Sequence, residues 1–185
     1  MLNNFYAKFH VTNNLKFKDN QLVLINLPLA IFPVGLFKEI ALSEDDEMHR
    51  KIYELIKNSC KDFAGKFKKE HGFNDKQIRN FLMDLFTNSG FGKIELVRQD
   101  DEKQLYEISV QNNPFAEQVR FKSKKPVDHI MRGILAGVIS VYTERDIDCV
   151  ETNCVGVNKN YCTFIAKKRK DFDFKTAMVT DQLGT

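Results

Sequence analysis

Residues 148–166 read DCVETNCVGVNKNYCTFIA, and β-branched and aromatic residues on either side of a polar centre predict two strands joined by a turn. The strands are 149–155 and 161–165, and 156–160 carries the Gly and Asn residues that turns favour. With Asn158 at the apex, Cys154 and Cys162 stand equally far from it and face each other across the ladder. Opposed residues of an antiparallel pair share a face, with Cα atoms roughly 4.5 to 5.5 Å apart. Two sulfurs so held can close a disulfide, share a metal ion, or fill core as small buried groups. Glu151 adds an oxygen to the pair if the strand kinks or bulges at its end. The C-x7-C spacing falls short of the double C-x2-C pattern that marks a zinc site by itself.

The 185 residues suffice for one domain with a substantial core, and 43% are hydrophobic, with 16 Phe and no Trp. The chain is therefore globular, and its many Phe suit either a packed core or the lining of an apolar cavity. A net charge of +3 with acids and bases interleaved is too weak for a nucleic-acid footprint. The four cysteines are widely spread, and 1–17 lacks the basic and apolar regions of a secretory signal, so a reducing, cytoplasmic setting is expected. The most apolar run, 22–37, is interrupted by Asn26, Pro28 and Pro33 and is too short to span a bilayer.

Taken in order, 15–17 and 21–25 flank the turn signal Lys18-Asp19-Asn20 and predict an opening hairpin, followed by a stiff apolar connector over 27–36. Ser43 reads as the N-cap of a long helix whose apolar stripe is Met48, Ile52, Leu55, Ile56, Cys60, Phe63 and Phe67, ending near His71 with Gly72 beyond it. Asn74 and Gln77 have capping-box spacing and open a second helix with Ile78, Phe81, Leu82, Leu85 and Phe86 on its face. Strands are expected over 93–98 and 105–110, before Asn112-Asn113-Pro114 breaks the pattern. The basic patch Arg120, Lys122, Lys124 and Lys125 has no aromatic platform beyond Phe121 and reads as a solvated loop. Pro126 suits the first turn of a third helix reaching about Glu144. On it His129, Gly133, Gly137 and Ser140 form a narrow small-residue stripe, which predicts close packing on the sheet or on a second subunit. If this helix crosses the cysteine hairpin, Asp128 or His129 can supply the remaining position of a four-coordinate shell with Glu151, Cys154 and Cys162. Residues 171–185, after the basic run 167–170, predict a C-terminal tail that is mobile or crosses to another subunit.

Read together, the Gly133-Ile134-Leu135-Ala136-Gly137 helix, then Glu151-x2-Cys154-x7-Cys162 running into Thr163-Phe164-Ile165, resemble the signature of the 4-vinyl reductase domain family over 126–166. The resemblance implies an α+β domain, an antiparallel sheet packed against several helices, similar in fold to subunits of the TRAPP vesicle-tethering complex and often dimeric. It implies a small-molecule-binding module for hydrocarbon or aromatic ligands. Among its sensor relatives the motif holds a structural zinc, and carried over by position those ligands are Glu151, Cys154 and Cys162. The fourth, a cysteine in those sensors, falls on Asp128, and His129 stands beside it. The family name suggests reduction of a vinyl group, yet the sequence shows no Gly-rich dinucleotide loop and no haem attachment pattern.

The expectation is thus a single binding domain over 1–170 with a tail over 171–185. It would be non-catalytic, cytoplasmic and homodimeric, with a zinc site and a hydrophobic small molecule between the helices and the sheet, and would not contact nucleic acid or membrane. Two other readings are a TRAPP-like scaffold without ligand and a reductase of a tetrapyrrole vinyl group.

Overall fold

In the computed structural model, which describes residues 7, 11–12, 14–24, 27–31, 33–157 and 159–184, the chain opens on a three-stranded antiparallel sheet. Its strands are β1 (Leu15–Lys18), β2 (Gln21–Leu24) and β3 (Leu27–Leu29). Asp19 and Asn20 take the positive φ that the tight turn demands, so the expected hairpin forms; Ile25, its predicted last residue, lies outside the described residues. β3 occupies the start of the predicted connector, and Pro28 is tolerated there because the strand lies at the sheet edge. A short helix, α1 (Lys38–Leu42), follows one 3-10 turn.

Helix α2 (Asp46–Glu70) is capped by Asp45 and not, as the sequence suggested, by Ser43. Asp45 Oδ1 accepts from the Met48 amide at 2.9 Å, while Ser43 closes α1 and its hydroxyl accepts from the Asp45 amide at 3.1 Å. A carboxylate in that place caps the helix and also suits its positive end. The buried face also differs from the predicted stripe. It runs through His49, Tyr53, Lys57, Cys60, Ala64 and Phe67, and Leu55 is 65% exposed. The helix turns these polar groups inward because they find partners: Tyr53 Oη donates to Asp148 Oδ1 at 2.6 Å and Lys57 Nζ to the same oxygen at 2.7 Å. Burial of charge is tolerable only when it is paired in this way.

The capping box predicted for α3 (Asp75–Phe86) is present in both directions, Asn74 Oδ1 accepting from the Gln77 amide and Gln77 Oε1 from the Asn74 amide, each at 2.9 Å. Strands β4 (Lys93–Asp100) and β5 (Leu105–Gln111) form the expected hairpin. With β6 (Asp148–Asn153) and β7 (Cys162–Lys167) they make a four-stranded antiparallel sheet ordered β4-β5-β7-β6. Between the two hairpins lie the one-turn helix α4 (Pro114–Glu117) and the central helix α5 (His129–Thr143). Pro126 lies outside α5, whose N-cap is Asp128: its carboxylate accepts from the Met131 amide at 2.9 Å.

Helix α5 is buried from His129 through Ser140 except at Ile130, because it is sandwiched between the sheet and α2. On the sheet side Met131, Leu135 and Ile139 join Tyr106, Ile108 and Phe164 in one core. On the other side Ile134 and Val138 meet Phe67, Ile78 and Leu82 in a second. The small-residue stripe serves this sandwich, and its partner is α2, not the sheet or a second subunit. A Cβ on Gly133 would stand 2.8 Å from the Ile56 Cβ and 2.9 Å from the Tyr53 carbonyl oxygen; one on Gly137 would stand 2.6 Å from the Lys57 carbonyl oxygen.

The C-terminal stretch read as a mobile or subunit-crossing tail instead folds back on its own chain. Phe172 and then Val179 and Leu183 of α6 (Ala177–Leu183) are buried in the sheet-side core. No helix of the described residues is long and apolar enough to cross a membrane. We predict that Gly137→Val, which drives a side chain into the α2 backbone, destabilises the protein by about 3 kcal/mol or more. Urea unfolding measures this, and a midpoint within error of the unsubstituted protein would show that the helices can part without penalty.

Candidate functional site

The site begins with a fault in a strand. β6 and β7 pair Val150 with Ile165 and Glu151 with Phe164, one residue out of the register predicted from an apex at Asn158, a residue outside the described ones. The register then shifts so that Asn153 faces Thr163, the pairing that the predicted apex required. Thr152 is the extra residue of this bulge. In a regular strand, residues three apart point to opposite faces. The bulge inserts a half-step and turns Glu151 and Cys154 to the same side. Beyond it β6 ends, earlier than the predicted 155, and the chain turns away at 154–157.

The consequence is a cluster in which one oxygen of Glu151 and the sulfurs of Cys154 and Cys162 all lie within 4.8 Å of one another. The three residues are 0%, 1% and 0% exposed, and both cysteines are free thiols. Cys162 donates its S–H to the Cys154 sulfur. That bond, with backbone amides of Val127 and Gly156, holds the Cys154 thiol down at about 7 despite burial, and pushes Cys162 well up. Burial, reinforced by the negative Cys154 and Asp128, drives the Glu151 carboxyl far above the usual carboxylate range. Its Oε2 accepts from the Asp128 amide at 3.0 Å, while Oε1 is buried without a hydrogen-bond partner among the described residues. An orphaned carboxylate oxygen beside two sulfurs is a donor set that fits a zinc ion.

Asp128 and His129, the two other residues singled out from the sequence, are not part of this cluster. Asp128 touches it through its backbone amide, and its carboxylate is engaged by the Met131 amide and by Asn113 Nδ2, which donates to Oδ2. Burial raises that carboxyl to about 6. His129 Nδ1 lies 3.0 Å from Arg132 Nη1, and its ring stacks on His49 with centroids 4.0 Å apart. A guanidinium can only donate, so Nδ1 accepts and the proton of the neutral ring sits on Nε2. Burial, then the charges of Arg132 and His49, hold this imidazole well below its ordinary value.

Three residues that organise the site gave little signal in the sequence. Asn113, read as a break, caps α4 by accepting from the Phe115 amide at 3.1 Å and ties it to Asp128. Arg132, fully buried, donates to the Cys149 carbonyl at 3.0 Å and the Gln182 carbonyl at 2.7 Å, with Tyr53 under its guanidinium. Gln182 of α6 completes the backbone of Glu151, its Oε1 accepting from the Glu151 amide and its Nε2 donating to the Glu151 carbonyl, both at 2.9 Å. The only hint of Gln182 and Arg132 was an interruption of an otherwise apolar face.

A cleft of about 660 Å³ opens beside the cluster, between the α1–α2 corner, the 122–127 loop, the turn after β6, and α6. Cys154, His49 and His129 all contribute to its walls. It does not lie between the helices and the sheet, where the sequence placed an apolar cavity; that space is filled by Tyr53, Arg132, Met131, Leu135 and Phe164.

Helices packed on an antiparallel sheet, with a Glu–Cys–Cys cluster at the last hairpin, define a domain of the 4-vinyl reductase type. Residues 106–168 match the model of that domain family, which bears out the resemblance drawn from the motif. The phenol-responsive sensory domain of the transcription activator PoxR, solved with phenol, superposes with a TM-score of 0.69 at 14% identity, covering 94% of each chain. A vinyl-4-reductase family protein from Methanocaldococcus jannaschii follows at a TM-score of 0.51 and 24% identity, covering 75% of this chain and 83% of that one. A trafficking protein particle complex subunit 3 from Naegleria fowleri gives 0.48 at 14% identity over 68% and 82%. No curated protein sequence matches. At such identities the first two structures establish the fold.

Gln182→Ala leaves the buried amide and carbonyl of Glu151 without partners, which destabilises by about 1–3 kcal/mol. We expect a lower melting temperature and faster hydrogen exchange at the Glu151 amide, and unchanged values of both would show that the contact is dispensable.

Proposed function

We propose that this chain is a small-molecule-binding domain of the 4-vinyl reductase type, a sensor module without catalysis of its own, in which a structural zinc holds the wall of the binding cleft. The observation that carries the reading is that Cys154 belongs both to the buried Glu151–Cys154–Cys162 cluster and to the cleft wall. Zinc in that place would tie β6 to β7 and supply folding energy outright. Asp128, already against Glu151, takes the fourth position in preference to His129, whose Nδ1 is committed to Arg132. The ligand is a small molecule with a hydrocarbon or aromatic body, a reading supported by the phenol of the PoxR sensory domain. The setting is cytoplasmic, and the protein works as a homodimer.

A TRAPP-like scaffold is the second reading, favoured by the exposed apolar side chains Phe17, Ile31 and Leu36. Extraction and mass spectrometry separate the two: a co-purifying aromatic or lipid supports the binding module, and a protein that yields none and takes up no phenol supports the scaffold. Consumption of reduced nicotinamide with a vinyl substrate would instead reinstate a reductase.

Metal analysis with native mass spectrometry is expected to show one zinc per chain. Cys154→Ala and Cys162→Ala release it and lower the melting temperature by many degrees; Asp128→Ala reduces occupancy, and His129→Ala leaves it intact. Unchanged melting of metal-replete protein after either cysteine substitution would refute the zinc site.

A further inference from the structure

The cleft holds a donor without a partner among the described residues. Arg132 on Nδ1 leaves the His129 proton on Nε2, and that atom is buried with no hydrogen-bond partner in a side chain only 5% exposed. The ring belongs to the cleft wall, and with its Nδ1 edge turned to Arg132 the Nε2 edge is the one left for a ligand. His49, stacked on it, is already satisfied, since its Nε2 donates to the Ile40 carbonyl at 2.9 Å. A cation bonded to one nitrogen of an imidazole withdraws electron density and strengthens the N–H on the other. The group that complements such a donor carries negative charge.

The rim has the same preference. Of the charged residues around the cleft, Lys125 is held by Asp46 at 2.9 Å and Asp181 at 3.4 Å. Lys122, Lys124 and Lys159 remain, against Glu44 alone. Below them the walls turn apolar at Ala41, Leu42, Val127, Val157 and Met178. A bare inorganic anion would leave those walls unused, and a pure hydrocarbon would leave the buried N–H unpaired, which is costly.

We propose that the cleft recognises a small organic acid, its carboxylate accepting from His129 Nε2–H beneath the lysine rim and its short apolar body lying against the walls beside α6. This rests on the reading of the chain as a small-molecule-binding module and narrows its ligand class. A volume of about 660 Å³ is of the size that such ligands occupy.

The test uses the full chain, zinc-replete, and titration calorimetry with benzoate and hexanoate, each beside its neutral counterpart, benzyl alcohol and hexanol. Acids are expected to bind at least about tenfold tighter than the alcohols. His129→Ala should weaken benzoate by about tenfold or more while zinc content stays at the unsubstituted level, and His129→Gln, which keeps an N–H donor, should recover part of the loss. If His129→Ala fails to fold, the surface variant Lys122→Ala/Lys124→Ala/Lys159→Ala decides, with weaker and less salt-sensitive benzoate binding expected. Equal affinity for acid and alcohol would overturn acid recognition while leaving the binding module standing. Binding of none of the four probes by zinc-loaded protein would overturn it too, and a protein that neither holds zinc nor binds any probe would bring down the underlying reading with it.

Discussion

Strand β6 places its functional side chains by departing from regularity. Were it an unbroken strand, Glu151 and Cys154 would point to opposite faces of the sheet. One extra residue, Thr152, brings them together, and the bulge is held by its own polar contacts. Thr152 Oγ1 reaches Thr163 Oγ1 at 2.8 Å, and Asn153 Nδ2 donates to the same hydroxyl at 2.7 Å. Everything in the cluster, including the orphaned oxygen of Glu151, follows from that half-step.

Behind the cluster stands a core that buries charge in order to bring two helices close. Small residues at Gly133 and Gly137 let α5 approach the backbone of α2, and the approach encloses Tyr53, Lys57 and Arg132. Each is offset by specific partners: Asp148 for Tyr53 and Lys57, and the carbonyls of Cys149 and Gln182 for Arg132. Burying such charges unpaired would cost several kcal/mol each. The network therefore fixes the position of α5 along the sheet, and with it the Asp128 cap and the His129 ring.

Helix α6 joins the two ends of the chain's logic. Gln182 acts on the open edge of β6 as another strand would, satisfying both backbone groups of Glu151. Met178 and Asp181 of the same helix face the cleft, and Arg132 and Arg169 hold its last carbonyls. One short helix thus supports the residue at the centre of the cluster and forms part of the wall a ligand would meet.

From the sequence alone one could read the α+β class, the two hairpins, the long helices with their capping box, and the Glu-x2-Cys-x7-Cys spacing together with its family resemblance, since each is written in local periodicity, turn chemistry or a short motif. Tertiary structure decided the rest. The stripe that α2 buries holds Tyr53 and Lys57, which read as polar until Asp148, far away in sequence, supplies their partner. The docking of α6 depends on a single glutamine finding an unpaired strand edge. The free N–H of His129 depends on which nitrogen Arg132 reaches. Local pattern records what a residue prefers in water, whereas a buried polar group is settled by a partner that only the folded chain brings within hydrogen-bond reach.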